Sequence, residues 1–212
     1  MSRPDHRAMP AAAQSATTAG APTPAGRLRR PARREQILAA ATRAFARAGF
    51  TATSLDDIAA EAGITRVILY RHFESKADMY RAVLDRACTR LAETVGTGDY
   101  GEDAIAVLVR AAAADPDAFR LLFRHAAREP EFRDQADALT AASAEVARRD
   151  LAAQIPVGPW LDWAARLIPA LAIEAVIAWL DAGQPDPGQA AGRVGQVIHG
   201  AIQAAQPPDQ PS

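Results

Sequence analysis

The 212-residue chain has one cysteine, one lysine and few aromatic residues, 6% in all. The lone Cys88 excludes a disulfide framework and any cysteine-based zinc site, and it fits a reducing compartment. With aromatic and β-branched residues both sparse there is little to fill a sheet, and no strand-like alternation of useful length occurs. No apolar run reaches the ~18 residues of a membrane span. The longest, Leu167 to Leu180, is shorter and carries Glu174, so a soluble chain is expected. Histidines at positions 6, 72, 125 and 199 form no His-x-x-x-His pair, and neither a Gly-rich phosphate loop nor a nucleophile elbow is present. The carboxylates are scattered over polar helix faces. The expectation is therefore no catalytic residue, no metal and no cofactor.

What the chain has is alanine: 52 residues, about a quarter of the total. Alanine loses no rotamer entropy in a helix, so the composition predicts an all-α protein. Charge is uneven. Residues 1–95 hold 15 Lys and Arg against 9 Asp and Glu, a net +6, whereas residues 96–212 hold 9 against 16, a net −7. Such a split suggests that one end meets a polyanion, although Arg27, Arg29, Arg30, Arg33 and Arg34 alone supply five of the charges.

Residues 1–30 are rich in Ala, Pro, Thr and Ser and show no apolar periodicity, nor the apolar centre that a secretion signal needs; they read as a disordered tail. From Pro31 onward Ile37, Leu38, Ala41, Ala44, Phe45 and Ala48 share one helical face, and Gly49 stops the helix. Ser54 and Thr53 are candidate N-caps for a second helix, which ends at Gly63. A short third helix follows over Arg66 to Phe73, and Ser75, with Asp78 in capping-box position, opens a fourth that runs to about Val95. Gly96, Gly98 and Gly101 break it. The rest reads as helices at about 102–114, 116–128, 130–154, 159–182 and 187–205, separated by Pro and Gly, making nine in all. The expected division is a tail (1–30), a first helical domain (31–80), a second helical domain (81–205) and a second tail (206–212).

Residues 54–73 fit a helix-turn-helix for steric reasons. Two helices crossing closely need a small residue at the contact, which Ala59 supplies. The tight turn needs a positive φ, which Gly63 supplies. Ile64, Leu69 and Phe73 give the second helix a side to bury.

The same stretch resembles the DNA-binding domain of the tetracycline-repressor (TetR) family. The resemblance lies in Ile37-Leu38-Ala39-Ala40-Ala41, in Phe45 to Phe50, in Ser54 to Gly63, in Leu69-Tyr70-Arg71-His72-Phe73 and in Ser75-Lys76. It covers about a quarter of the chain. It implies a recognition helix in the major groove and helix N-termini on phosphates. By that resemblance Ser54 and Lys76 contact phosphate, while Thr65, Arg66, Tyr70, Arg71 and His72 face the groove or the backbone, with Arg66 reading a guanine. Val67 and Ile68 depart from the family's small or hydroxylated residues there; they either pack on thymine methyls or tighten the domain. Arg27 to Arg34 form either a basic arm for phosphates or the minor groove, or a solvated run.

In that family the later helices bind a small effector and dimerise. The 159–182 helix is apolar on nearly every side, so that one side faces a core or pocket and another faces a second subunit. The resemblance implies a homodimer through the last two helices, with Gly192, Gly195 and Gly200 allowing close approach. Candidate pocket residues are Phe119, Leu122, Phe123, Phe132, Trp160 and Trp163, with His125 and Glu174 as polar groups; such a pocket suits a lipophilic ligand. Pro169 should kink its helix. The resulting expectation is a cytoplasmic, dimeric, ligand-responsive regulator, a repressor by family habit, that binds a palindromic DNA operator and is released by a small lipophilic effector. The alternative is a helical small-molecule-binding protein whose DNA binding is weakened or lost.

Overall fold

The computed structural model describes residues 29–96 and 103–206. Both expected tails, apart from residues 29, 30 and 206, lie outside the described residues, as do Arg27, Gly98 and Gly101. Among the described residues there are nine α-helices and no strand: α1 (Arg30–Ala52), α2 (Leu55–Ala62), α3 (Arg66–Tyr70), α4 (Lys76–Val95), α5 (Ala104–Ala114), α6 (Pro116–Arg120), α7 (Arg133–Leu151), α8 (Pro159–Asp181) and α9 (Pro187–Ala205).

Local chemistry sets the ends. Gly49 takes φ 75° inside α1, the predicted break, and one further turn reaches Ala52. Thr53, buried, closes that turn by donating its hydroxyl toward the carbonyls of Gly49 (2.7 Å) and Ala44 (3.2 Å). Ser75 accepts from the Asp78 amide at the start of α4, as predicted. Asp115 does the same for α6, with Pro116 in its first turn.

The stretch predicted as one helix over 116–128 is three pieces: α6, a π-helical turn at Leu121–His125 and a 3₁₀ turn at Ala126–Arg128. Likewise the predicted 130–154 helix begins with a 3₁₀ turn, Pro130–Phe132, and α7 ends at Leu151.

Two apolar cores result. The first joins α1 (Ile37, Phe45), α2 (Ile58), α3 (Leu69) and α4 (Tyr80, Val83) to Leu121, Leu122, Ala126 and Phe132. The second is built from α5, α7, α8 and α9 around Leu161, Val176, Ile177, Trp179 and Ile198. Helix α8 is 23 residues long and, by length and composition alone, apolar enough to cross a membrane, unlike the shorter run read from sequence. Nine of its residues are buried in this fold. Arg120 and Arg124 on the segment between the cores both pair with Asp181 at the end of α8 (3.0 and 2.6 Å).

Candidate nucleic-acid interface and effector cavity

The second and third helices are fixed by reciprocal caps and by α1. The Ser54 hydroxyl accepts from the Asp57 amide (3.1 Å), and the Ser54 amide donates to the Asp57 carboxylate (2.8 Å). The Ser54 hydroxyl and amide together hold the Asp57 carboxyl below its usual range. Gly63 sits in the left-handed region (φ 63°, ψ 36°), and the turn closes through Ile64 N–H to the Ala59 carbonyl (3.0 Å). Glu61 accepts from Arg43 Nε (2.7 Å) and Arg47 Nη2 (2.8 Å), while Gln36 donates to the Ala62 carbonyl (2.8 Å). These three ties dock the end of α2 on α1 and thereby aim α3.

Helix α3 buries Leu69, and Phe73 just beyond it is buried too. Its other side points outward: Val67 is 63% exposed and Tyr70 51%. Thr65, Arg66 and Arg71 are exposed as well, and Ile68 and His72 are half-buried. Of the two readings left open for Val67 and Ile68, internal packing does not describe Val67. The Arg66 guanidinium lies against Asp56 (3.3 Å) and the Tyr70 hydroxyl (3.4 Å). Nothing in the sequence pattern marks Asp56, ten residues before Arg66, as its partner. Burial, with Arg30, Arg34 and Arg33 nearby, pushes the His72 pKa below its ordinary value. The Arg34 guanidinium stacks 5.0 Å from the Phe73 ring. The described end of the basic run thus lies beside the recognition segment.

The Lys76 ammonium, expected on a phosphate, donates in this structure to the carbonyls of Phe50 (2.8 Å), Thr53 (3.0 Å) and Thr51 (3.4 Å), 4.5 Å from the Phe50 ring. The Gly49 break leaves those carbonyls without helical donors. Three converging acceptors suit a compact ammonium better than a planar guanidinium, a physical reason for one lysine in a chain that otherwise uses arginine.

A cavity of about 720 Å³ lies between α4, α5, α7, α8 and α9. Of the eight residues predicted for a pocket, only Phe123 lines it. Phe119 stacks on Phe123 (4.8 Å) within the second core, and Leu122 and Phe132 belong to the first. His125 sits beside Gly49. Burial, with Arg128 and Arg124, lowers its pKa. Trp160 (66% exposed) and Trp163 (44%) pack edge-to-face on each other at the outer end of α8 (5.6 Å), and Glu174 is exposed farther along that helix.

The walls are mostly small or aliphatic: Ile105 and Leu108, Ala147 and Leu151, Ile168 and Ala172, Ile198 and Ile202. Pro169, the predicted kink, is one of the lining residues, and so are Gly192 and Gly195. The polar side chains in the wall are Cys88, Ser143, Asp150, Gln154 and His199. An aromatic criterion could not find these residues. The signal was the face of α7 that repeats at Leu139, Ser143, Ala147 and Leu151 with helical spacing.

Residues 37–83 match the family model described as bacterial regulatory proteins, tetR family. The chain is 40% identical over 89 residues to the HTH-type transcriptional activator FasR of Mycolicibacterium smegmatis, covering 39% of this chain and 41% of FasR. It therefore spans well under two thirds of that relative's length. A TetR-like regulator from Rhodococcus sp. RHA1 superposes with a TM-score of 0.72 at 22% identity, over 84% of this chain and 99% of that one. A structure described as a SmeT–triclosan complex matches with a TM-score of 0.58 at 24% identity, over 84% and 93% of the two chains.

Proposed function

Because the chain belongs to the TetR family of bacterial regulatory proteins, we propose that it is a dimeric, ligand-responsive repressor of transcription acting in the cytoplasm on a palindromic operator. The observation that carries this reading is the outward side of α3. Arg66, Val67, Tyr70 and Arg71 stand exposed on a helix whose other side is locked into a core. A large exposed valine and tyrosine flanked by arginines suit the major groove, where thymine methyls and guanine edges are read. Ser54 and the first amides of α2 and α4 supply phosphate contacts, and Thr65, Ile68 and His72 border the groove. Lys76 serves this arrangement indirectly, by tying α4 to the end of α1.

The dimer is proposed through α8 and α9. The outer side of α8 carries Trp163, Ala170, Glu174 and Ala178, and α9 adds Val197 (52% exposed), Gly200 and Ala204. Such a surface fits a second copy. Two recognition helices about 34–36 Å apart would then enter successive major grooves. An effector in the cavity that favours another spacing releases the DNA by population shift. The SmeT structure, described with triclosan, supports a lipophilic ligand. Replacing Val197 with Asp leaves the single chain's cores untouched and is expected to weaken self-association at least tenfold in sedimentation equilibrium.

The direct test is selection of bound duplexes from a random pool by the purified protein. An enriched palindrome is expected. Salt-dependent retention with no enriched sequence counts against sequence reading, and no retention at low salt favours the helical ligand-binding alternative. On the selected site, Arg66→Ala should cost about ten- to a hundredfold at one base pair and relax preference there. Arg71→Ala should instead weaken all sequences and flatten the salt slope by about one. Identical behaviour of the two variants on matched and mismatched sites would remove the distinction.

A further inference from the structure

Helix α8 meets solvent through a stripe of Trp163, Arg166, Ala170, Glu174 and Ala178, spaced three or four residues apart. Its charged residues, Asp162, Arg166, Glu174 and Asp181, divide into two kinds. Asp162 pairs with Arg148 (2.9 Å), and Asp181 takes both Arg120 and Arg124 (3.0 and 2.6 Å). Arg166 and Glu174 are exposed and have neither an ion pair nor a hydrogen-bond partner among the described residues. Eight residues apart on one helix, they lie beyond the three- or four-residue spacing of a helical pair. Ala170 stands midway between them. The two charges therefore sit about 6 Å before and after it along the axis, and about 40° to either side.

We infer that α8 packs antiparallel against α8 of a second copy, with the two-fold axis at Ala170 and each Arg166 paired to the partner subunit's Glu174. The inference rests on the proposed α8–α9 dimer and fixes its register. A two-fold axis across an antiparallel helix pair exchanges positions equally far before and after it. Arg166 thus comes level with the partner subunit's Glu174, and the reciprocal pair forms by symmetry. Charge also selects this register over its neighbours. An axis one turn earlier sets Arg166 against the partner subunit's Arg166, and one turn later sets Glu174 against the partner subunit's Glu174, each a like-charge contact. Ala170 at the axis lets the two backbones approach. Trp163, seven residues before it, comes level with the partner subunit's Ala178, a small exposed residue that leaves room for the ring, and an exposed indole gains an anchor site.

The test is sedimentation equilibrium of the full chain. Arg166→Glu and Glu174→Arg should each weaken self-association at least tenfold, since one substitution in a symmetric dimer alters both pairs and sets like charges together. Mixed in equal amounts, the two variants should regain near-parental association as a heterodimer, in which every new charge faces an opposite one. Unchanged far-UV circular dichroism shows that each chain is folded. Ala170→Cys in a Cys88→Ala background should cross-link to its own copy when oxidised with copper–phenanthroline, because the position on the axis meets itself, whereas Glu174→Cys should not.

Single variants that associate like the parent overturn the inference. So do variants that weaken without recovery on mixing, or cross-linking at Glu174→Cys but not at Ala170→Cys. In each of these cases the α8–α9 dimer stands in another register as long as Val197→Asp still weakens it. A parent chain that stays monomeric at every concentration overturns the inference and the dimer together.

Discussion

Lys76→Ala is expected to lower the melting temperature by about 5–10 °C, corresponding to roughly 2–3 kcal/mol, because a hydrogen-bonded charge is removed and three backbone carbonyls are left behind. Those carbonyls, of Phe50, Thr51 and Thr53, belong to the turn after the Gly49 break, and the ammonium is what fastens that turn to the start of α4. DNA affinity should fall with it, equally on operator and unrelated sequences, since α4 and the recognition segment lose a common anchor. The salt dependence separates this from a direct contact. If the ammonium lay on a phosphate, its loss would flatten the slope of log K against log salt by about one. With the geometry seen here the slope stays the same while stability drops. A variant with a flattened slope and an unchanged melting temperature would show that Lys76 leaves the α1 carbonyls for the DNA. Lys76→Arg should rescue only in part, because a flat guanidinium cannot aim at three converging oxygens.

The same residue shows where sequence reading stops. The DNA-binding end was legible because its determinants are local: Ser54 with Asp57, Gly63 at the turn, and Ser75 with Asp78 each act within four residues. The direction of the Lys76 side chain is not local. It depends on a break 27 residues earlier, and the family position alone suggests phosphate. Aromatic rings do not mark the cavity for a related reason: in a chain so rich in alanine the large rings fill the cores, and space is left where Ala, Gly and Ile meet. The π-helical turn at Leu121–His125 has no signal in Leu-Leu-Phe-Arg-His, which reads as ordinary helix. Its consequence is clear in the packing. Leu121 and Leu122 enter the first core while Phe123 turns to the cavity.

That segment makes Phe132 the site of the other large expected effect. Phe132 is 3% exposed, and its ring lies 4.5 Å from Tyr80 and 5.1 Å from Phe50, with the Arg81 guanidinium 5.5 Å above it. Tyr80 in turn meets Phe45 edge-on at 4.8 Å. The core under the recognition segment is therefore completed by a residue far along the chain from it. Phe132→Ala removes a buried ring from a site walled by rigid rings that cannot collapse inward, and should cost about 3–5 kcal/mol in chemical denaturation. Because Ala126, Leu121 and Leu122 share that core, the loss should also loosen the link between the cavity and α3, so that the variant's affinity for its selected operator responds less to an effector. Tyr80→Phe provides the opposite sign at the same place. The Tyr80 hydroxyl is buried with no hydrogen-bond partner among the described residues, and burial, with Glu129 nearby, pushes its pKa up so that it stays neutral. Removing an unpaired buried hydroxyl while keeping the ring should stabilise the fold by about 1 kcal/mol. If Tyr80→Phe destabilised instead, the hydroxyl would have a partner, and the cluster would be polar at its centre rather than dry. If Phe132→Ala cost less than about 1 kcal/mol, the first core would close without the 118–132 segment, and the proposed route from cavity to recognition helix would lose its physical link.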